Sequence, residues 1–438
     1  MNRRAFLSRL GTGTCLAAMA EARLLADEEA ELKRRAAAYW RQLREKVFPY
    51  WHTVAVDWKR GGFLLGSGAG GRAPLKQLVT QSRMIWAFST AHRLGFSDSR
   101  RDYLQAADLG YRFLTGKMLD PVYGGYYWKT DAEGGAVNSR KFLYGEAFAV
   151  YGLVAYFRAG GPEPALEQAL ELWRTIERHC HDAKRGGWGE HYERDWRFLA
   201  RQDPEIEVEV AGWKSANAHL HWMEALAELY EATRDPGVRE SLEEALEINR
   251  RWFYPAEAGQ SVLWRLPDWR PVPNPPKKTV SYGHNVEFAW LMLRAQRVLG
   301  KPLDWPWFFS IIEHAYRRGY DRARGGLFSA GMDDEPASDR TKVWWVQAEW
   351  IAALTEAVDR RPEEKYRRAL LRTFDFLDAW QIDPKDGIWR DTLNEDGSPK
   401  NPAKAHLWKG AYHDVRALVK FSLRRIPKKP SGRLDDLL

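Results

Sequence analysis

Cysteine is nearly absent: the 438-residue chain has two, Cys15 and Cys180. Cys15 lies in an N-terminal segment read below as removable, so Cys180 is left without an internal partner and a disulfide framework is excluded. No cysteine pair is available to a metal, and there is no H-E-x-x-H. His219 and His221 are two residues apart; on a helix they point about 200° away from each other and cannot form an i,i+4 zinc pair. No metal is expected. The chain also lacks a G-x-S-x-G elbow, a Walker loop and a dinucleotide fingerprint, so no cofactor is expected either. No run approaches the roughly 18 apolar residues of a membrane span, and no membrane partner is expected of the mature chain.

Cationic runs are almost as scarce. The net charge is +8, from 67 basic and 59 acidic residues, but the two signs are interspersed. The single dense basic stretch is "RRIPKKPSGR" (Arg424–Arg433), so nucleic-acid binding is not expected, and residues 426–438 read as a flexible tail. The N-terminus places Arg3-Arg4 before Phe6-Leu7, then a weakly apolar run that ends in Ala18-Met19-Ala20. Residues 1–20 read as a twin-arginine-like export signal with an A-x-A cleavage site, which predicts a periplasmic protein whose mature domain begins at residue 21.

Tryptophan is what the chain has in excess, with 22. Most serve helix packing; the surplus suggests a cleft for a flat-faced ligand such as a sugar. Paired glycines recur at Gly61-Gly62, Gly124-Gly125, Gly186-Gly187 and Gly325-Gly326, with a degenerate copy at Gly387. The intervals are 63, 62, 139 and 62 residues. The double-length gap predicts a worn copy at "EAGQSVLW" (Glu257–Trp264), giving six. Between these signals, Ala- and Leu-rich helices apolar on most faces alternate with amphipathic ones such as "EQALELWRTIERHC". Twelve helices in two alternating classes predict an all-α (α/α)6 barrel over residues 21–425. A monomer or a homodimer is equally compatible with this.

Polar residues gather near the starts of the apolar helices: Gln81 and Arg83; Tyr144 and Glu146; Asn217, His219 and His221; His284 and Glu287; Trp344, Trp345, Gln347 and Glu349; Trp408, Lys409 and His413. On a closed barrel these are expected to point into one cavity. Such a gathering costs free energy unless it is used. With metal and nucleotide chemistry set aside, histidine-mediated proton transfer is the chemistry indicated. Glu287, three residues after His284, shares its helix face and is expected to hold the imidazole in one tautomer.

The stretches "LYGEAFAVYGL", "NAHLHWMEA", "GHNVEFAWL", "KVWWVQAEW" and "WKGAYHDVRAL" together resemble the N-acylglucosamine 2-epimerase superfamily, with the cellobiose 2-epimerase branch nearest. The likeness runs from about Trp40 to Leu418. It implies an (α/α)6 barrel that epimerises or isomerises a reducing sugar through a cis-enediol, without metal or redox cofactor. It implies His284 and His413 as the acid/base pair, His221 assisting ring opening, Glu287 orienting His284, and Arg83 stabilising enediolate charge. Tyr144, Asn217, Trp345, Glu349 and Trp408 are implied to bind the sugar. Glu146 stands where the family usually has Gln, adding a charge to the expected cavity, Ala218 replaces a longer polar residue, and Ala411 stands where Pro is common. The Pro-rich segment Leu266–Val280 reads as a loop over the mouth. Two alternatives share the barrel: a glycoside hydrolase using a carboxylate pair such as Glu190 and Asp195, or a non-catalytic sugar-binding protein.

Overall fold

In the computed structural model, which describes residues 23, 25–65, 74–255, 260–275 and 280–426, the chain forms an (α/α)6 barrel. Helix α1 covers residues 25–54, with a π turn at Leu43–Val47. There follow α2 (Leu78–Arg93), α3 (Tyr103–Phe113), α4 (Leu143–Arg158), α5 (Glu163–Cys180), α6 (Ala216–Thr233), α7 (Pro236–Ile248), α8 (Tyr282–Leu299), α9 (Trp305–His314), α10 (Trp344–Arg360), α11 (Glu364–Phe376) and α12 (His413–Leu423). The export-signal segment 1–20, the first part of the worn fourth copy (257–259), part of the Pro-rich loop (276–279) and nearly all of the tail lie outside the described residues.

The even-numbered helices form the inner ring, each packed on the next from α2 to α12. They are enclosed on every side: in α2 all residues from Leu78 to Ala91 are buried. The odd-numbered helices form the outer ring and bury a single stripe, as α5 does with Ala165, Leu166, Ala169, Leu172, Ile176 and Cys180, the 3–4 spacing of a half-wet helix. The last inner helix has no outer partner after it in sequence. That place is taken by α1: Tyr39 packs tilted against Phe374 and edge-on against Phe421, and Arg35 pairs with Asp375 and Asp378. The chain thus closes its ring by joining its two ends.

Short antiparallel strands sew neighbouring units together at one end of the barrel. The strand that enters each inner helix from α2 to α10 pairs with one in the following loop: Leu75–Gln77 with Lys129–Asp131, Lys141–Phe142 with His191–Tyr192, Lys214–Ser215 with Trp264–Arg265, Val280–Ser281 with Ala330–Gly331, and Lys342–Val343 with Thr392–Leu393. A buried lysine in four of these entering strands reaches the aspartate four residues before the first glycine: Lys76 to Asp57, Lys141 to Asp120, Lys214 to Asp182 and Lys342 to Asp321. The fourth unit has Val280 there and lacks this pair.

The fourth residue of each inner helix from α2 to α10 turns outward and anchors a loop. Gln81, Glu146, His219, Asn285 and Gln347 accept from the backbone N–H of Phe63, Tyr126, Trp188, Ser261 and Leu327. This explains the second glycine of each pair. It has positive φ (Gly62 +67°, Gly326 +81°), and a Cβ there would lie 2.7 and 2.6 Å from the anchoring Gln oxygen. Gln81, Glu146, His219 and Gln347 therefore do not point into the cavity, contrary to the expectation from sequence. Nor does Lys409, which donates to Lys404 O. Glu146 adds no charge to the cavity; it is wholly buried under its loop.

Candidate active site

The inner-helix starts leave a central cavity of about 210 Å³ at the sewn end of the barrel. Arg83, Tyr144, Val208, Asn217, His221, His284, Glu287, Trp344, Trp345, Trp408 and His413 line it. The helical period selects most of them. Tyr144, Asn217 and Trp345 are second residues of their helices; Arg83, His221 and Glu287 are sixth residues. Positions two and six are one turn apart on the same face, and position four lies on the opposite one. His284, a third residue, enters because Gly283 precedes it: a Cβ on Gly283 would lie 2.5 Å from the Trp345 ring. That indole crosses the space and contacts both candidate acid/base rings, 4.7 Å from His284 and 5.7 Å from His413 between centroids.

Beneath the cavity lies a layer of buried charge. Arg416 of α12 donates to Glu287 at 2.7 Å, to Glu349 at 2.8 Å, and also to Glu224 and the Tyr412 hydroxyl. Glu349 accepts from Trp290 Nε1 at 2.8 Å and bonds His413 Nδ1 at 2.6 Å. Burial pushes the Glu349 carboxyl up, but Arg416 and His413 outweigh it and bring it down to about 2. An ionised carboxylate only accepts, so His413 donates from Nδ1 and keeps its lone pair on Nε2. His221 is held the same way by Glu224, 2.8 Å from its Nδ1. Burial, with the ionised Glu349 adjacent, drives Glu287 well above the usual carboxylate range. Burial depresses His413 to about 3 and His284 to about 4, and lowers His221. All three imidazoles are neutral at neutral pH.

Two assignments need correction. Glu287 lines the cavity but does not bond His284. Helical side chains lean toward the N-terminus, so His284 leans back to the N-cap hydroxyl of Ser281, 2.9 Å from its Nδ1, while Glu287 meets Arg416. Glu349 does not line the cavity; it lies behind His413 as its support. The carboxylates of the hydrolase alternative do not flank it either. Glu190 is buried against Ser215, and Asp195 sits in an exposed turn, accepting from Arg197 N. The sequence reading missed Arg416 and Glu224, although each lies three residues after a candidate histidine, a spacing that could have drawn attention to them.

Arg83 holds the cavity's positive charge. It donates to the Tyr144 hydroxyl at 3.0 Å and its guanidinium lies over the Phe148 and Tyr412 rings at 4.2 and 4.6 Å. Its Nε is buried without a partner, and no carboxylate pairs with it among the described residues. Trp408 is held through its backbone N–H, which donates to His406 Nδ1, while His406 Nε2 donates to Asp391 at 2.7 Å. Glu287, Glu349 and His413 bring three ligand-type atoms within 4.8 Å, but Arg416 donates to both carboxylates of that group and is the cation they hold.

A family model described as N-acylglucosamine 2-epimerase (GlcNAc 2-epimerase) matches residues 66–417. A cellobiose 2-epimerase of Dictyoglomus turgidum is 27% identical over 407 residues, spanning 88% of this chain and 97% of its own. A D-mannose isomerase of Thermobifida fusca is 26% identical over 398 residues, spanning 86% and 92%. The solved structure of a cellobiose 2-epimerase from Spirochaeta thermophila aligns with a TM-score of 0.80 and 31% identity, over 90% of this chain and 97% of that one.

Proposed function

The chain belongs to the N-acylglucosamine 2-epimerase family, and from that premise we propose how its cavity performs the family's chemistry. It is a sugar 2-epimerase or isomerase. The sugar opens against His221. The Nε2 lone pair of one of His284 and His413 takes the C2 proton; the electrons move into a C1–C2 double bond and onto O1, giving a cis-enediolate. The other histidine, after taking a proton from water on its cavity nitrogen, delivers it to the opposite face of C2, yielding the epimer, and the first histidine gives its proton back to water; delivery to C1 instead, with the O2 hydroxyl proton passing to O1, yields the ketose. Arg83, a desolvated cation without a carboxylate partner, stabilises the charge as it forms. Trp345, Trp408, Tyr144 and Asn217 bind the sugar. One observation supports this above the rest: two imidazoles in contact with the same indole, on the wall of one cavity.

Cellobiose is the first substrate to test, with mannose second, following the relatives' names. Incubation in D2O checks the reaction. Deuterium at C2 of an inverted product supports epimerisation, and a labelled ketose supports isomerisation. Sugar that stays unlabelled and unchanged across cellobiose, mannose, glucose and N-acetylglucosamine overturns the reading. His284→Ala and His413→Ala are each expected to lower kcat by about 10²-fold or more, with the fold intact by circular dichroism. The Arg3-Arg4 segment supports export of the folded chain; sequencing the N-terminus of periplasmic material tests whether it starts after Ala20.

A further inference from the structure

Glu209 drew no attention in the sequence. It lies in the segment joining strand His191–Tyr192 to strand Lys214–Ser215, directly after the cavity residue Val208. Its backbone is left-handed, with φ +57°, a conformation that costs a non-glycine residue about 1 kcal/mol or more. Its carboxylate accepts from two neutral donors, Asn217 Nδ2 at 2.9 Å and Trp264 Nε1 at 2.8 Å, and has no cationic partner among the described residues. Burial and the neighbouring Glu190 push it up to about 7. A strained backbone carrying a desolvated acid is an unfavourable way to satisfy two N–H groups.

The effect of the arrangement is felt at Asn217. A primary amide has an acceptor on one side and two donors on the other. An ionised carboxylate only accepts, so it fixes the NH2 toward itself. The Oδ1 is left on the far side of the amide from Glu209, buried and without a protein partner, on a residue that lines the cavity. We propose that Glu209 is a positioning residue that locks the Asn217 carbonyl toward the sugar, so that the substrate must present a hydrogen-bond donor, a free hydroxyl, at that point. The proposal rests on the sugar-isomerising reading and narrows it. A sugar carrying a phosphate, a carboxylate or an ether oxygen there sets acceptor against acceptor in a desolvated place and is refused.

Trp264 makes the test discriminating. In Glu209→Gln the side chain keeps a single acceptor oxygen. The indole N–H can only donate, so it takes that oxygen, and the glutamine NH2 then faces Asn217. The Asn217 amide flips and presents NH2 to the cavity. Adding Trp264→Phe removes the indole donor and lets the carbonyl return. The measurement is kcat and KM at mildly alkaline pH, where Glu209 is ionised, for monodeoxy and monofluoro forms of a reducing sugar that the wild type converts. Fluorine removes the donor from a hydroxyl position. In the wild type, one position should show a KM raised roughly tenfold or more on OH→F exchange, with kcat little changed. E209Q should abolish or invert that penalty, and the E209Q/W264F pair should restore it. Asn217→Ala, which leaves Glu209 and its loop in place, should abolish it independently, even if E209Q folds poorly. A wild type with no such position, or variants that keep its penalty, overturns the proposal alone. A wild type that converts no reducing sugar overturns the parent reading and this one with it.

Discussion

A Cβ at position 283 would sit inside the volume of the Trp345 ring, and that ring touches both histidines. Gly283→Ala is therefore expected to displace the indole and misplace the two bases together. An ångström of misplacement at a reacting centre costs about 10²-fold, so kcat should fall by that order while the melting temperature moves little; steady-state kinetics beside a thermal melt separate the two. Glu349→Gln keeps the shape beneath His413 but removes its ionised acceptor. His413 is then free to carry its proton on Nε2, the nitrogen that should be bare. A kcat loss of roughly tenfold or more is expected, with KM nearly unchanged because Glu349 lies behind the wall. At this scale the sequence was informative about which side chains are unusual for an Ala- and Leu-rich helix. It was uninformative about their partners. Glu287 and His284 share a helix, yet each bonds elsewhere, and the link between Glu349 and His413 spans two helices that no local spacing connects.

Within a helix, position four has its own use. His219 accepts from Trp188 N–H at Nε2 and donates from Nδ1 to Ser215 O, a role filled by glutamine at Gln81 and Gln347. Burial depresses it from 6.5 to about 3. A group whose folded pKa lies below its unfolded one stabilises fully above pH 6.5 and loses that contribution as pH falls toward 3. By pH 5 the wild type should have lost about 2 kcal/mol through this group, and His219→Gln should be spared that loss; urea unfolding at pH 7 and pH 5 measures it. Glu146 has the opposite sign. Burial raises it from 4.5 to about 7, so its contribution is present below pH 4.5 and is lost as pH rises through 7. Glu146→Gln should melt higher than wild type, by a margin that widens from pH 5 to pH 8, with activity unchanged. The glycine pairs were legible as loops at a regular interval. Their anchors were not, because a polar residue near a helix start looks the same in sequence whether it faces the cavity or a loop. Only the phase of the helix separates the two.

For the molecule as a whole, closure depends on contacts between residues more than 300 positions apart. The six-copy period made the barrel visible in the sequence, but not that α1 is the outer partner of α12, since nothing local joins Tyr39 to Phe421. Tyr39 is buried against two phenylalanines and its hydroxyl donates to Asp378, so Tyr39→Ala should cost about 3–5 kcal/mol, read as a lower urea midpoint. The turn of the inner helices separates two kinds of inheritance. Residues two and six supply most of the cavity wall, residue four meets only its own polypeptide, and the two sets face apart. A lineage built on this plan can drift in what it recognises without loosening the seams that hold it, and can adapt to heat or acid without altering its diet.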